Sequence, residues 1–239
     1  VETITTHFVL EDRPTTVTSK CPDCVLERKA QEQARKDAEL ARERQRRLDG
    51  LLHHSGIPAR FADRSFASYA ATSQGQKIAH GVCKAFADKW PEKLASGKSL
   101  VLTGGPGTGK THLASAVANA VMHAHLAVTV FGTVSSMLRQ IKSTYTRDSQ
   151  RSEQDAIDAL IQPDLLILDE VGVQVGSEHE KMLMFEVLNS RYQELRPTIL
   201  ISNLTAEELE AFLGQRVMDR YRECGSVLAF DWPSFRGQA

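Results

Sequence analysis

An α/β fold, a parallel sheet flanked by helices, is expected on three observations. Short apolar runs at 99–103, 127–131, 164–169, 197–202 and 226–230 alternate with helical patterns at 110–124, 133–145, 153–161, 178–194 and roughly 205–223, the rhythm of strands joined by crossover helices. The run Ser-Leu-Val-Leu-Thr at 99–103 leads straight into a glycine-rich loop that opens a helix. The run Asp164-Leu-Leu-Ile-Leu-Asp169 is apolar throughout its interior, as befits a strand covered on both faces.

Bulk composition bounds the rest. With 239 residues, 41% of them apolar and 25% charged, the chain holds one α/β domain of ordinary size and an appendage. A formal net charge of −1 means that any nucleic-acid contact comes from a local basic patch. No apolar run approaches the roughly 18 residues of a membrane helix, and no signal-peptide pattern opens the chain, so no membrane association is expected. The four cysteines, Cys21, Cys24, Cys83 and Cys224, are too few for a disulfide framework and point to a reducing cytoplasm. The chain starts at Val1 without a methionine, which reads as a fragment with residues lost ahead of it.

From the N-terminus, residues 1–24 are rich in Thr and β-branched types and close on Cys21-Pro-Asp-Cys24, expected as one or two short strands and a knuckle. Residues 25–49 are almost wholly Ala, Gln, Glu, Lys, Arg and Leu, strong helix formers with no Gly or Pro. Glu32 with Lys36, and Glu43 with Arg47, add i,i+4 pairs in the favourable order. Ala30, Ala34, Ala38 and Ala41 make only a thin apolar stripe. This long charged helix is therefore expected to stand out from the core as a strut or partner-binding arm, or as a plain solvated helix. Two domains follow, a head with the charged helix over 1–50 and a compact domain over 51–239. The compact part opens with an irregular lead-in through Gly56-Ile-Pro-Ala-Arg-Phe61 and Ser65-Phe-Ala-Ser-Tyr69, then a helix near Gln74–Trp90.

The glycine-rich loop reads Gly104-Gly105-Pro106-Gly107-Thr108-Gly109-Lys110-Thr111. Its glycines let backbone N–H groups turn inward around an anion with no Cβ in the way. Lys110 suits the β- and γ-phosphates of a nucleoside triphosphate, and the Thr111 hydroxyl suits Mg²⁺. His112 is grouped with these nucleotide-binding residues, on a helix whose N-terminal dipole faces the phosphates. A glycine-rich turn without a ligand is the alternative. About 60 residues further on, Asp169 and Glu170 end a strand. Asp169 can hold the Mg²⁺ shell while Glu170 polarises an attacking water; a chance pair of strand-end acids is the bland account. Asn203 ends the next strand, where its amide would lie near the γ-phosphate or would simply make a turn. Arg216 and Arg220 share one face of a late helix. Either suits a neighbouring subunit's γ-phosphate, and either suits a surface salt bridge. Arg236 is a further basic candidate for the phosphates of its own chain.

Together these residues resemble an AAA+ ATPase, with a Walker A loop, a Walker B strand ending in Asp169-Glu170, a strand-end Asn and a late helical arginine. More narrowly, residues 52–236 resemble the DnaC-type replicative helicase loaders, a branch shared with the IstB-type transposition ATPases. The strings that carry the resemblance are Ser55-Gly-Ile-Pro58, Gly105-Pro-Gly-Thr-Gly-Lys-Thr-His-Leu-Ala114, Asp169-Glu-Val-Gly-Val-Gln174, Gly214-Gln-Arg-Val-Met-Asp-Arg220 and Trp232-Pro-Ser-Phe-Arg236. Val171-Gly-Val-Gln174 and Arg216-Val-Met-Asp-Arg220 look more like a loader than a transposition ATPase. The resemblance implies that Lys110, Asp169 and Glu170 are catalytic, that Asn203 is sensor 1, Arg220 the arginine finger and Arg236 the sensor 2 arginine. It also implies self-association through the ATP site and loading of a hexameric DnaB-type helicase onto single-stranded DNA, with residues 1–50 as the helicase-interaction region. The stretch 175–181 corresponds to where these loaders place an element facing DNA, so Ser177, His179 and Lys181 are the DNA-contact candidates.

Cys21 and Cys24 have the spacing of half a zinc knuckle, with His7 the sole nearby supplement. Some loaders of this type carry a zinc-binding head whose first ligand pair lies upstream of such a Cys-x-x-Cys. A redox pair, or no site, stays open. Cys83 and Cys224 read as buried or incidental. Two other classes stand beside the loader: an IstB-like transposition regulator acting on duplex DNA, and a scaffold in which ATP only orders the fold. The set of Lys110, Thr111, Asp169 and Glu170 argues against the scaffold. Nothing after the loop resembles a substrate lid, which disfavours a small-molecule kinase.

Overall fold

The computed structural model describes residues 3–10, 13–20, 22–146, 148–173 and 177–235. They divide into two units, Val1–Arg47 and Leu48–Ala239.

The first unit begins with an antiparallel hairpin, β1 (Thr3–Leu10) and β2 (Arg13–Lys20), with Thr3 opposite Lys20 and Leu10 opposite Arg13. Helix α1 (Pro22–His54) follows and runs into the second unit. Proline is at home in a first helical turn, where its missing N–H has no intrahelical partner to lose. The helix thus begins three residues before the expected start, and Cys24 lies in its opening turn, where a turn-built knuckle was expected. Gly50 does not stop it, and the helix continues to His54. Of the two expected i,i+4 pairs one forms, with Lys36 Nζ 2.9 Å from Glu32, and among the described residues no ion pair joins Glu43 to Arg47.

The second unit is an α/β sandwich. After a 3₁₀ turn at Ala59–Phe61 come α2 (Gln74–Asp88) and α3 (Trp90–Ala95), then β3 (Ser99–Gly104) and α4 (Lys110–His125). Next are β4 (Thr129–Thr133), α5 (Val134–Lys142) with a 3₁₀ turn to Tyr145, α6 (Glu153–Ile161) and β5 (Leu165–Asp169). The chain closes with α7 (Glu178–Gln193), β6 (Thr198–Ile201), α8 (Ala206–Leu213), α9 (Gln215–Glu223) and β7 (Gly225–Phe230). The strands lie in the order β4-β5-β6-β3-β7 and every pairing is parallel.

Period-two alternation sorts the strand residues into two cores. Leu100, Leu102, Leu165, Ile167, Ile199 and Ile201 pack on one face with Phe86, Trp90, Leu113, Val117 and Val121 of α2, α3 and α4. Val101, Leu166, Leu168 and Leu200 face the other way, onto Ile141, Leu160, Val187 and Met218 of α5, α6, α7 and α9. Both faces are buried, which is why the strands read as unbroken apolar runs.

Two expected helices are split by local chemistry. The helix expected over 74–90 ends at Asp88, and α3 restarts with Pro91 in its first turn. The helical end expected over 205–223 breaks at Gly214, whose φ of 84° and ψ of 146° suit glycine alone.

Candidate nucleotide site

Helices α2, α5, α6, α7 and α8 each begin with a side-chain capping box, from Ser73, Thr133, Ser152, Ser177 and Thr205. Helix α4 does not. Its N-cap is Gly109, at φ 97°, with no side-chain bond, as at α3 and α9, so no side chain caps its first-turn N–H groups. The loop ahead of it admits no substitution at two of its glycines. A Cβ on Gly104 would meet the Phe230 carbonyl oxygen at 2.3 Å, and one on Gly109 would meet the Tyr69 ring at 2.7 Å.

Gly104, Gly105, Pro106, Gly107, Thr108 and Gly109 wrap around a buried Lys110. Its Nζ donates to the carbonyls of Gly104 at 2.6 Å and Gly105 at 2.7 Å, and Thr108 Oγ1 donates to the Gly105 carbonyl at 2.8 Å. Thr111 Oγ1 donates to Asp169 Oδ2 at 2.9 Å, joining the end of β5 to the start of α4. Burial pushes the Asp169 carboxyl above its ordinary range, against the opposing pull of Thr111, the Glu170 N–H and Lys110. Glu170 is exposed and adopts a φ of 62°, unusual for a non-glycine residue and a form of local strain that functional turns carry.

Strand β6 lies between β3 and β5, so the turn after it sits between the two motifs. Asn203 is exposed there. Its neighbour Ser202 is buried and ties the three turns together. The Ser202 N–H donates to Leu102 O at 2.9 Å and its hydroxyl to Val171 O at 2.6 Å. The Leu204 carbonyl accepts from the Gly104 N–H at 3.1 Å. Ser202 carries no sequence signal beyond its place at a strand end.

The His112 side chain meets the lead-in. Its Nε2 lies 3.2 Å from the Ser65 carbonyl and 3.1 Å from Ser68 Oγ. A carbonyl only accepts, so Nε2 carries the proton, and burial lowers the imidazole's pKa. The C-terminal segment closes the other side. Trp232 Nε1 donates to Thr108 O at 2.8 Å, and the Phe235 N–H donates to Gly107 O at 2.9 Å. Arg236, the next residue, lies outside the described residues.

Arg220 and Arg216 are on α9, beside a cleft of about 400 Å³ lined also by Gln215, Asp219 and Glu223. Arg216 is exposed and Arg220 half-buried. The partners of Arg220 are on α7: its Nη1 donates to Asn189 Oδ1, and its guanidinium lies 5.2 Å from the Tyr192 ring centre. Ser177, His179 and Lys181 cluster at the start of α7. The Ser177 hydroxyl is the helix cap, His179 Nε2 is 3.1 Å from the Tyr145 hydroxyl, and Lys181 pairs with Glu178 at 2.9 Å. Lys142 of α5 joins them through Glu180 at 2.5 Å. Tyr145, half exposed, and Lys142 were not legible as part of this group, because nothing local brings α5 to α7.

Cys21 lies outside the described residues, and no group of three or more His, Cys, Asp or Glu among the described residues could hold a metal ion. A zinc site needs four ligands, so the expected zinc head is not formed by the residues seen. No helix among them is long and apolar enough to cross a membrane.

The family of IstB-like ATP binding proteins matches residues 30–221. The chain belongs to that family. It is an AAA+ ATPase. Within the family it is 33% identical over 205 residues to the replicative helicase loader DnaC of Escherichia coli K12, covering 85% of this chain and 82% of that one. Its identity to the DnaC of Buchnera aphidicola from Acyrthosiphon pisum is also 33%, over 86% of this chain and 83% of the relative. The fold is that of a DnaC helicase loader crystal structure, with a TM-score of 0.65 at 22% identity, over 72% of this chain and 99% of that one. It is also that of AMPPCP-bound DnaA from Aquifex aeolicus, with a TM-score of 0.59 at 19% identity, over 72% of this chain and 50% of that one.

Proposed function

We propose that this ATPase loads a hexameric DnaB-type replicative helicase onto single-stranded DNA, and that adjacent copies share each ATP site. The identity to DnaC loaders over most of their length supports the reading. The observation that carries the shared site is a division of its parts. Thr111 meets Asp169 where the start of α4 and the end of β5 come together, and Asn203 follows the adjacent β6, while Arg220 is on α9 with its guanidinium held by side chains of α7.

The phosphate loop and the uncapped start of α4 bind the triphosphate through backbone N–H groups. Lys110 leaves the carbonyls of Gly104 and Gly105 to reach the β- and γ-phosphates. Thr111 and Asp169 present two hard oxygen ligands side by side, a set that fits Mg²⁺. The ion supplies neutralisation of the phosphate charge. Glu170 orients the attacking water and accepts its proton, and Asn203 contacts the γ-phosphate. Arg236 serves the phosphates in cis, and Arg220 serves those of the neighbour. His112 supports the site by fixing the lead-in at Ser65–Ser68. Two thiols do not make a zinc site, and no role is assigned to zinc.

Single-stranded DNA binds where Tyr145, His179, Lys142 and Lys181 gather: aromatic faces stack on bases and the cations meet phosphates. Ser177 contributes by capping the helix that carries two of them. Residues 1–50 bind the helicase, residues 51–239 form the motor, and the protein works in the cytoplasm.

The test is a loading assay with the full chain, the host DnaB-type helicase and a single-stranded DNA circle. Helicase retention on the circle should require ATP and should fall to background with Lys110→Ala. A chain that does not bind the helicase, or that instead recruits a transposase to duplex DNA in an ATP-dependent way, overturns the loader reading in favour of a transposition regulator.

A further inference from the structure

We infer that Asn189 and Tyr192 are positioning residues for Arg220, holding its guanidinium ready for a neighbouring copy's phosphates; the inference rests on the proposed role of Arg220 as the finger. A long arginine free to sample its rotamers reaches a transition state only after losing that freedom. Arg220 is already fixed. Asn189 accepts from its Nη1, and the Tyr192 ring lies 5.2 Å from the guanidinium, within cation–π range. The Tyr192 hydroxyl donates to Glu223 Oε2 at 3.0 Å, so the ring is itself anchored to α9. Asn189 and Tyr192 are three residues apart and share one face of α7. Buried Val187, Leu188 and Arg191 hold that helix against the sheet.

The chemistry of the grip is what suits a finger. Both partners of Arg220 are neutral, although three carboxylates lie on or beside α9. Arg222 takes two of them, Glu210 at 2.5 Å and Asp219 at 3.3 Å, and the Tyr192 hydroxyl engages Glu223. A carboxylate against Arg220 would cancel the charge that a phosphate needs. An amide and a ring orient the guanidinium and leave its charge intact. Arg216, four residues earlier, is exposed, and no side-chain contact among the described residues fixes its guanidinium. The grip therefore separates two arginines that helical spacing alone leaves equivalent.

The test uses the full chain with helicase and single-stranded DNA at saturating ATP. Asn189→Ala and Tyr192→Leu should each lower kcat by about ten- to hundred-fold, the size of a small misplacement of a catalytic group. ATP affinity and the thermal midpoint should stay at wild-type values, and Tyr192→Phe, which keeps the ring, should retain more activity than Tyr192→Leu. Mixing either variant with Glu170→Gln should restore turnover, because the Glu170→Gln copy presents a well-held Arg220 to the intact site next to it. A fold defect would not be repaired by mixing. The inference is overturned if kcat is unchanged or rises in both variants while Arg220→Ala abolishes turnover, or if mixing restores nothing. Full turnover by Arg220→Ala would instead remove the finger role itself, and this inference with it.

Discussion

Arg191 is wholly buried, and its guanidinium is held by neutral oxygens. Nη1 donates to the carbonyls of Leu160 at 3.0 Å, Ile161 at 2.7 Å and Pro163 at 2.9 Å. Nη2 donates to Pro197 O at 2.5 Å and Nε to Thr198 Oγ1 at 2.9 Å. One side chain thus satisfies the end of α6 and the entry to β6. Burial pulls its pKa down to about 10, which still leaves it charged at neutral pH. Replacement by Leu strands those acceptors in the core and should cost roughly 3–5 kcal/mol, read as a lower urea midpoint. Lysine should not rescue it, having three donors on a single nitrogen where the cage needs a planar fork. In the sequence, Asn189-Ser-Arg191-Tyr192 looks like any surface turn of a charged helix. Its burial follows from how α7 packs against α6 and β6, which local composition does not encode.

At the scale of elements, the phosphate loop is not held by its own helix alone. The segment after β7 lies along it, with Trp232 bonded to Thr108 O and the Phe235 N–H to Gly107 O. The Trp232 ring also packs on Gly75, whose Cβ would come within 3.1 Å of it. Trp232→Phe keeps most of the packing and removes one hydrogen bond. ATP affinity should then fall by roughly two- to ten-fold, the worth of one ordinary hydrogen bond, measured by titration with a fluorescent ATP analogue. A larger loss would mean that the ring itself orders the loop. Trp232-Pro-Ser-Phe-Arg236 was conspicuous in the sequence through its family likeness. That its main chain clamps the loop depends on β7 pairing with β3, a contact between residues more than a hundred positions apart.

At the scale of the whole molecule, a net charge of −1 gives no long-range pull on DNA. On the proposed reading, binding rests on the two lysines of the patch that holds Tyr145 and His179, Lys142 and Lys181. Two phosphate contacts imply a slope of about −1.4 for log affinity against log salt on single strands. A fluorescence-anisotropy series from low to moderate salt measures it. A much steeper slope would show that further cations, such as those of α1, reach the DNA. Both already have carboxylate partners, Lys142 with Glu180 and Lys181 with Glu178, which they would exchange for phosphates on the proposed binding.

The amino-acid sequence by itself determined the parallel α/β architecture, the phosphate loop and the Asp169-Glu170 strand end. Each is written in residues within one or two turns of one another, where backbone freedom and period-two burial act directly. It did not determine where Gly214 and Lys89 interrupt helices in detail, nor that Cys24 would enter a helix through Pro22. Only the tertiary structure decided that Ser202 joins three turns, that Arg191 is a core residue, that Tyr145 meets His179, and that Arg220 is gripped while Arg216 is exposed. Those outcomes depend on which surfaces of α5, α6, α7 and α9 are pressed together around the sheet, and packing of that kind is set by side chains far apart along the chain.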